Sequence, residues 1–287
     1  MKIAFSSNAF RKYSLIETID ILADAGYKGI EIMCDIPHAY PPDLNRGAIA
    51  GIKKHLKDRD MEISNLNAFM MTAIGDFHHP SWIEKDKAKR ELRVNHTIDC
   101  VRLAEELGVD TISTEPGGPV DGMGMDRTEA MKLFIDGLNR VVEVAKPARI
   151  KVLVEPEPDL LIQTSSEFKE FIQQVDTESI ALNCDLGHHF CVGEDPCQVL
   201  EEFKYVIHHI HLEDIAASRE HVHVALGKGA MDFNAIFQTL RKIDYQDWIT
   251  VELYPYEDNP AKTAADALDY LINLDGSMQD WFLSRKC

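Results

Sequence analysis

One short stretch decides the fold of this chain: Ile180-Ala181-Leu182-Asn183-Cys184, a largely apolar run that ends on the carboxylate of Asp185. Three other runs in the second half of the chain have the same form, namely Lys151–Val154 before Glu155, Val206–Ile210 before His211, and Ile249–Val251 before Glu252. The successive polar ends are 30, 26 and 41 residues apart, about the length of one strand–helix unit. Short apolar runs of this kind are typical of strands buried on both faces of a parallel sheet.

The rest of the chain repeats this alternation of strand and helix. Eight strand-like runs occur between Ile3–Phe5 and Ile249–Val251, and helix-like segments separate them. The turn after the first run, Ser6–Phe10, contains no glycine, which disfavours an open sheet that binds a dinucleotide. We therefore predict one α/β domain over residues 1–287, a closed (β/α)8 TIM barrel, with residues 275–287 as a C-terminal tail. In such a barrel the carboxyl ends of all strands face one open mouth.

The composition excludes several classes of protein. The formal net charge of −18 disfavours binding to a nucleic-acid backbone. The chain has no apolar run of about 18 residues and no signal-peptide pattern at its start, so we expect no membrane partner. Its six cysteines form no Cys-x-x-Cys pair, which favours a reduced, cytoplasmic protein without structural zinc. The sequence is compatible with a homo-oligomer and does not define the oligomeric state.

Each strand-end residue has an ordinary structural explanation when taken alone. A glutamate at a strand end can form a salt bridge, Asp185 can start a turn, and a single strand histidine is usually a core residue. Together, one imidazole and three carboxylates at the mouth of a barrel form an oxygen-rich ligand set. Such a set suits one divalent cation, and we predict Mn²⁺, with Mg²⁺, Co²⁺ and Zn²⁺ as alternatives.

Further polar residues near the predicted mouth are candidates for contact with a substrate. His188 follows Asp185 by three residues, and Glu157 has the same side-chain parity as Glu155. Asn67 and Glu115 follow the predicted third and fourth strands. Packing on the barrel rim is the alternative role for each of them. We predict that His188, Glu157, Asn67 and Glu115 line the pocket.

Five motifs occur in a fixed order: Glu155-Pro156, Asp185-x-x-His188, His211-x-x-Asp214, Gly227-x-Gly229-x-x-Asp232-Phe233 and Glu252. This ordered set resembles the xylose-isomerase-like TIM-barrel superfamily, which includes sugar isomerases and epimerases, inosose dehydratases and endonuclease IV-type nucleases. The resemblance covers essentially the whole chain. It implies that Glu155, Asp185, His211 and Glu252 bind the divalent cation. It also implies that Glu155 and Glu252 exchange a proton with the substrate carbon.

The same resemblance implies further substrate contacts and includes some departures. His188 matches a substrate-contacting histidine, and Arg219 is the candidate for an arginine that contacts substrate oxygens, although it lies two residues later than usual. Leu161 stands where the epimerases usually carry a further glutamate. His223-x-x-x-Gly227 is similar to a motif of the nuclease branch, and we predict that His223 also contacts the substrate.

The leading functional prediction is a sugar, sugar phosphate or polyol isomerase or epimerase. Loss of a proton beside a carbonyl gives an enediolate, whose charge a bound cation stabilises, and two carboxylates can remove and return the proton. An inosose-type dehydratase is one alternative, because it would use the same enolate and expel a β-hydroxyl. An endonuclease IV-like phosphodiesterase is another, with His78, His79 and Glu115 as extra ligands for three metals, although the acidic chain disfavours it. We expect a small polyhydroxylated substrate.

Overall fold

The apolar runs of the sequence form strands that are largely buried on both faces. The computed structural model describes residues 1–122 and 124–274. Its strands are β1 (Lys2–Ser6), β2 (Gly29–Met33), β3 (Glu62–Asn67), β4 (Thr111–Thr114), β5 (Lys151–Val154), β6 (Ile180–Asp185), β7 (Ile207–Leu212), β8 (Asp214–Ile215), β9 (His223–Val224) and β10 (Trp248–Val251). β1 to β7 pair in chain order, and β10 lies between β7 and β1, which closes a parallel barrel of eight strands. The predicted TIM barrel is confirmed.

Helices follow the barrel strands and cover their outer faces. They are α1 (Leu15–Ala25), α2 (Arg46–Asp58), α3 (Lys87–Leu107), α4 (Arg127–Ala148), α5 (Ser165–Ile172), α6 (Leu186–Cys191), α7 (Pro196–Phe203), α8 (Phe233–Lys242) and α9 (Pro260–Leu274). Short 3-10 turns occur at Ser7–Phe10, Pro41–Asp43 and Tyr254–Tyr256. Local sequence explains the helix ends: Ser14 and Glu17 form a capping box at the start of α1, and Gly26 ends it with a φ of 107°.

The register between β6 and β7 places two polar residues side by side. Leu182 pairs with Ile207, but the next residue, Asn183, pairs with His209, so β7 contains one extra residue at this point. Asp185 consequently lies opposite His211. An unbroken register would place Asp185 opposite Ile210 instead, because a shift of one residue reverses the faces of a strand. This irregularity therefore helps to assemble the mouth of the barrel.

Two small elements were not predicted from the sequence. The loop after β7 contains the antiparallel ribbon of β8 and β9, and the residues directly after β6 form the short helix α6. The tail predicted at residues 275–287 lies outside the described residues. Within residues 1–122 and 124–274, no helix combines the length and the apolar character needed to cross a bilayer.

Candidate active site

The four residues predicted to bind a cation meet at the carboxyl end of the barrel. Glu155 and Glu252 directly follow β5 and β10, Asp185 ends β6, and His211 lies in β7. One ligand atom from each lies within 4.8 Å of the others, and all four residues are buried. The Nδ1 atom of His211 is 2.8 Å from Glu155 Oε1, 3.6 Å from Glu252 Oε2 and 3.8 Å from Asp185 Oδ2. The barrel thus brings together residues that are far apart in sequence.

Glu31, in the middle of β2, fixes the orientation of His211. Its Oε2 atom lies 2.8 Å from His211 Nε2, on the side of the ring that faces away from the other three carboxylates. Ser6 and Asn65 also donate hydrogen bonds to Glu31. Burial alone would raise the pKa of Glu31, but the neighbouring His211 holds it at about 2. A carboxylate that accepts from the distal nitrogen is the usual partner of a metal-binding histidine, and sequence reasoning did not assign Glu31 this role.

The chemistry of these four residues fits a divalent cation. Burial raises the pKa of Glu155, and it raises the pKa of Glu252 well above its ordinary value. The neighbouring carboxylates raise both pKa values further, whereas His211 lowers them. Glu155 Oε2 and Asp185 Oδ2 are buried without a hydrogen-bond partner. Carboxylates this close together are costly unless a positive charge or protons compensate them. A divalent ion coordinated by these oxygens would supply that charge.

A pocket opens directly above the four residues. It is lined by Asn8, Asn67, Phe69, Met70, Phe77, Glu155, Glu157, His188, His221, His223, Glu252 and Tyr254. Its polar groups cluster near the strand ends, whereas Phe77 and Tyr254 form an aromatic wall with ring centroids 6.1 Å apart. A polyhydroxylated molecule presents both hydroxyl and C–H surfaces, so this lining suits the predicted class of substrate.

His188 and His223 each present one ring nitrogen to the pocket. His188 Nδ1 donates to the carbonyl oxygen of Pro156 at 3.0 Å, and His223 Nδ1 donates to that of Glu252 at 3.0 Å. Burial lowers the pKa of His188 well below its ordinary value and that of His223 to about 4. Each Nε2 is therefore an acceptor for a substrate hydroxyl. The predicted substrate contacts of both residues remain predictions.

Glu157 and His221 form a polar pair at the side of the pocket. His221 Nδ1 lies 3.9 Å from Glu157 Oε1, and the His221 ring packs edge to face on His188 with centroids 4.5 Å apart. Burial raises the pKa of Glu157 well above its ordinary value and lowers that of His221. The imidazoles of His188, His221 and His223 also have ligand atoms within 4.8 Å of one another. His221 was not predicted from the sequence, although it lies only two residues before His223.

Two of the predicted substrate contacts lie away from the pocket lining. Arg219 packs its guanidinium over the ring of Phe190, 4.3 Å from the centroid, and donates to Phe190 O at 2.7 Å. Its backbone is left-handed, with a φ of 61°, and its side chain contacts α6 through Phe190 instead of lining the pocket. Glu115 is fully buried and faces Arg93, whose Nε is 3.5 Å from Glu115 Oε1. The placement of these two residues does not support a direct substrate contact for either.

Besides Asn65, two asparagines contact the glutamates of the site. Asn67, as predicted, lines the pocket; it donates to Glu31 Oε1 at 3.3 Å, and its Oδ1 accepts from Phe69 N at 3.0 Å. Asn8, which sequence reasoning missed, donates to Glu252 Oε1 at 2.8 Å. Its position just after the first strand is the signal that could have identified it. Both asparagines restrict the orientation of the carboxylates.

A larger cavity of about 950 Å³ lies at the opposite, amino-terminal end of the strands. Three of its basic side chains have partners: Lys2 is 3.0 Å from Glu62, and Lys53 and Lys151 donate to backbone carbonyls. No cluster of potential metal ligands among the described residues lies in it. In TIM barrels the chemistry occurs at the carboxyl ends of the strands, so the smaller pocket is the candidate active site.

Comparisons with known proteins agree with this fold. The family model described as Xylose isomerase-like TIM barrel matches residues 19–274. A curated relative from Clostridium beijerinckii named inosose dehydratase is 27% identical over 281 aligned residues, which cover 91% of this chain and 89% of the relative. The inosose dehydratase of Clostridium perfringens is 28% identical over 277 residues, with 89% and 86% covered.

Solved structures share the architecture at lower sequence identity. A D-tagatose 3-epimerase-like protein superposes with a TM-score of 0.81 at 20% identity and covers 96% of this chain and 97% of its own. An IolI protein with a bound zinc atom superposes with a TM-score of 0.77 at 19% identity, with 96% and 98% covered. At these identities the similarity demonstrates a common fold.

Proposed function

The chain belongs to the xylose isomerase-like TIM barrel family, and we propose on this premise that it is a metal-dependent lyase that removes water from an inosose, a polyhydroxylated cyclic ketone. The curated relatives that cover 91% and 89% of the chain are named inosose dehydratases. The observation that carries the proposal is the buried cluster of Glu155, Asp185, His211 and Glu252 beneath a polar pocket. The dehydratase alternative from the sequence thus becomes the leading proposal.

The four clustered residues would hold one divalent cation. We propose Mn²⁺, because three of the four ligands are carboxylates. Zn²⁺ is the first alternative to test, since a protein of the same fold is described with zinc. When bound, the cation would withdraw electron density from the substrate carbonyl and stabilise the negative charge that develops there.

Glu155 and Glu252 are the proposed proton-transfer residues. One carboxylate removes the proton from the carbon beside the carbonyl, and the released electron pair forms an enediolate. When that electron pair returns, a new carbon–carbon double bond forms and the β-hydroxyl leaves, so the first product is the enol of a dicarbonyl. Asn8 orients Glu252 through its 2.8 Å hydrogen bond. His188 and His223 accept hydrogen bonds from substrate hydroxyls through Nε2.

A sugar isomerase or epimerase, the leading prediction from sequence, is the second candidate. Glu155 and Glu252 both face His211 Nδ1, at 2.8 Å and 3.6 Å, so two carboxylates adjoin the same position. A proton removed by one carboxylate can be returned by either of them. The two candidate reactions share the enediolate and differ in whether the β-hydroxyl leaves.

The nuclease alternative lacks its extra ligands at the positions predicted for them. His79 pairs with Glu84 at 2.6 Å, His78 packs on Phe77, and Glu115 faces Arg93. None of these three residues joins the cluster of four among the residues that the structure describes. The net charge of −18 also opposes binding to DNA.

Incubation with a panel of inososes and ketoses in D₂O distinguishes the candidates. For the manganese-loaded protein we expect deuterium at the α-carbon by NMR, together with an ultraviolet-absorbing dicarbonyl product from an inosose. Glu155→Gln and Glu252→Gln should abolish both signals, whereas Glu178→Gln on the exposed surface should retain them. Exchange with ketoses and no dicarbonyl product would favour the isomerase candidate. The absence of exchange across the whole panel would contradict both.

A further inference from the structure

Dehydration needs a proton donor that the four clustered residues do not provide. Hydroxide is a poor leaving group, since its conjugate acid, water, has a pKa of about 15.7. The departing β-hydroxyl must therefore receive a proton as its bond to carbon breaks. Glu155 and Glu252 are already assigned to the cation and to the α-proton. The donor must be another group in the pocket lining.

The arrangement of hydrogens excludes two of the three pocket histidines as donors. His188 and His223 donate from Nδ1 to the carbonyl oxygens of Pro156 and Glu252, so each uses its ring hydrogen away from the pocket. His188 Nε2 lies 3.6 Å from Asp185 Oδ2 and His223 Nε2 is buried without a partner, so each of these nitrogens is an acceptor without a hydrogen. In the neutral form neither ring can hand a proton to a substrate oxygen.

His221 has a different environment. Its Nδ1 faces the carboxyl group of Glu157 at 3.9 Å instead of a carbonyl, and its Nε2 is buried without a partner. The side chain is 24% exposed, which allows it to regain a proton from solvent, whereas His188 and His223 are nearly fully buried. His221 and Glu157 both line the pocket.

The position of His221 also suits the distance between the two reacting groups. His223 Nδ1 lies 3.6 Å from Glu252 Oε2, and the rings of His223 and His221 are 5.6 Å apart. His221 therefore lies beside His223, which is the neighbour of Glu252, one of the two proposed proton-transfer residues. The β-oxygen is two bonds from the α-carbon that loses its proton. The acid must therefore lie beside the base that removes this proton.

We infer, on the premise of the proposed dehydration, that His221 is the catalytic acid that protonates the departing β-hydroxyl, with Glu157, which faces its Nδ1 at 3.9 Å, as the positioning residue. The Nε2–H bond of the His221 imidazolium breaks, a new O–H bond forms, and the C–O bond electrons leave with the oxygen as water. The imidazolium becomes a neutral imidazole whose remaining hydrogen is on Nδ1, and solvent restores the lost proton.

The test compares two histidine-to-asparagine variants of the manganese-loaded protein. His221→Asn should lower the rate of dicarbonyl formation from an inosose by at least about 100-fold, the usual contribution of a general acid. The same variant should keep the wild-type rate of α-deuterium exchange, because the earlier step does not use His221. His208→Asn changes a histidine at the other end of the barrel and should match the wild type in both assays.

An inosose with fluorine in place of the β-hydroxyl isolates the role of the acid. Fluoride leaves without protonation, so His221→Asn should release it at the wild-type rate. Glu157→Gln should show the same separation, with slower dehydration and unchanged exchange and fluoride release. A residue that only maintained the shape of the pocket would slow all three reactions together.

Several results would overturn the assignment. Wild-type dehydration by His221→Asn would show that another group is the acid, and parallel loss of exchange would place His221 on the α-proton or in binding. Loss of one of two bound metal equivalents in His221→Asn, measured by elemental analysis, would assign the histidines to a second cation. If the wild type exchanges the α-proton but never dehydrates an inosose, there is no departing hydroxyl for His221 to protonate. If the wild type shows no exchange, the proposed function is contradicted.

Discussion

Glu31 illustrates how one buried side chain controls the proposed metal site without lining the pocket. It accepts a hydrogen bond from His211 Nε2 and thereby holds His211 Nδ1 toward the other carboxylates. We predict that Glu31→Gln lowers the affinity for Mn²⁺ by about 10- to 100-fold, because the amide is a weaker acceptor and no longer fixes the tautomer. Calorimetric titration of metal-free protein measures this affinity.

Glu62→Gln is the matched control for that measurement. Glu62 begins the neighbouring strand β3 and pairs with Lys2 at the opposite end of the barrel, so its replacement should leave the Mn²⁺ affinity unchanged. Equal affinities in Glu31→Gln and the wild type would show that Glu31 does not orient the metal-binding ring.

Glu115 gives a prediction for stability instead of binding. Burial raises its pKa from 4.5 to about 7, although Arg93 acts in the opposite direction. The folded protein then keeps this proton between pH 4.5 and about 7, where the unfolded chain loses it, so the stabilisation present below pH 4.5 is lost as the pH rises. The difference between the two pKa values corresponds to about 3 kcal/mol of unfolding free energy.

Glu115→Gln should lack this fall in stability. We expect the unfolding free energy of the wild type, relative to the variant, to decrease by about 3 kcal/mol from pH 4.5 to pH 7 in denaturant titrations. Glu178→Gln, at an exposed position, should follow the wild type. A constant difference between the wild type and Glu115→Gln would show that Glu115 ionises normally in the folded protein.

At the scale of elements, the strands were predictable and the contacts between them were only partly so. A strand end can be recognised in the sequence because an apolar run stops at a polar residue, as at Asp185 and Glu252. The pairing of Glu31 with His211 depends on how β2 and β7 face each other across the closed barrel, which no local pattern encodes. The position of Arg219 could not be predicted for a related reason: its contacts with Phe190 set the direction of the side chain, and its spacing from His211 does not encode them.

The short helix α6 contains a glycine, Gly187, that allows Glu213 and Ile215 to approach closely. A Cβ added at Gly187 would overlap the carboxyl group of Glu213 and lie 2.9 Å from Ile215. We predict that Gly187→Ala displaces α6, which carries His188 and is capped by Asp185. The protein should lose about 1–3 kcal/mol of stability and bind Mn²⁺ more weakly.

Gly51→Ala is the control for Gly187→Ala. Gly51 lies in α2 with open space around its hypothetical Cβ, so alanine should stabilise the protein by about 0.5–1 kcal/mol through helix propensity. Thermal unfolding and metal titration of both variants separate the two effects. Normal metal affinity in Gly187→Ala would mean that α6 does not need this close approach.

At the scale of the whole molecule, barrel closure concentrates negative charge at one point. The chain has a net charge of −18, and the folded protein places Glu155, Asp185 and Glu252 within 4.8 Å of one another. The sequence could predict that these three carboxylates lie close together because all are at strand ends, whereas the contact of Asn8 depends on the pairing of β1 with β10, and that of Glu31 on how β2 and β7 face each other inside the barrel. The folded protein carries an electrostatic cost that the unfolded chain does not, and a cation would remove it.

Metal binding should therefore stabilise the folded protein measurably. Mn²⁺ at about 100 times its dissociation constant adds about 2.7 kcal/mol, which should raise the melting temperature by roughly 4–5 °C over the chelated protein. Asp185→Asn should remove this dependence on metal, because a ligand is lost. Identical metal dependence of the melting temperatures of Asp185→Asn and the wild type would place the cation elsewhere.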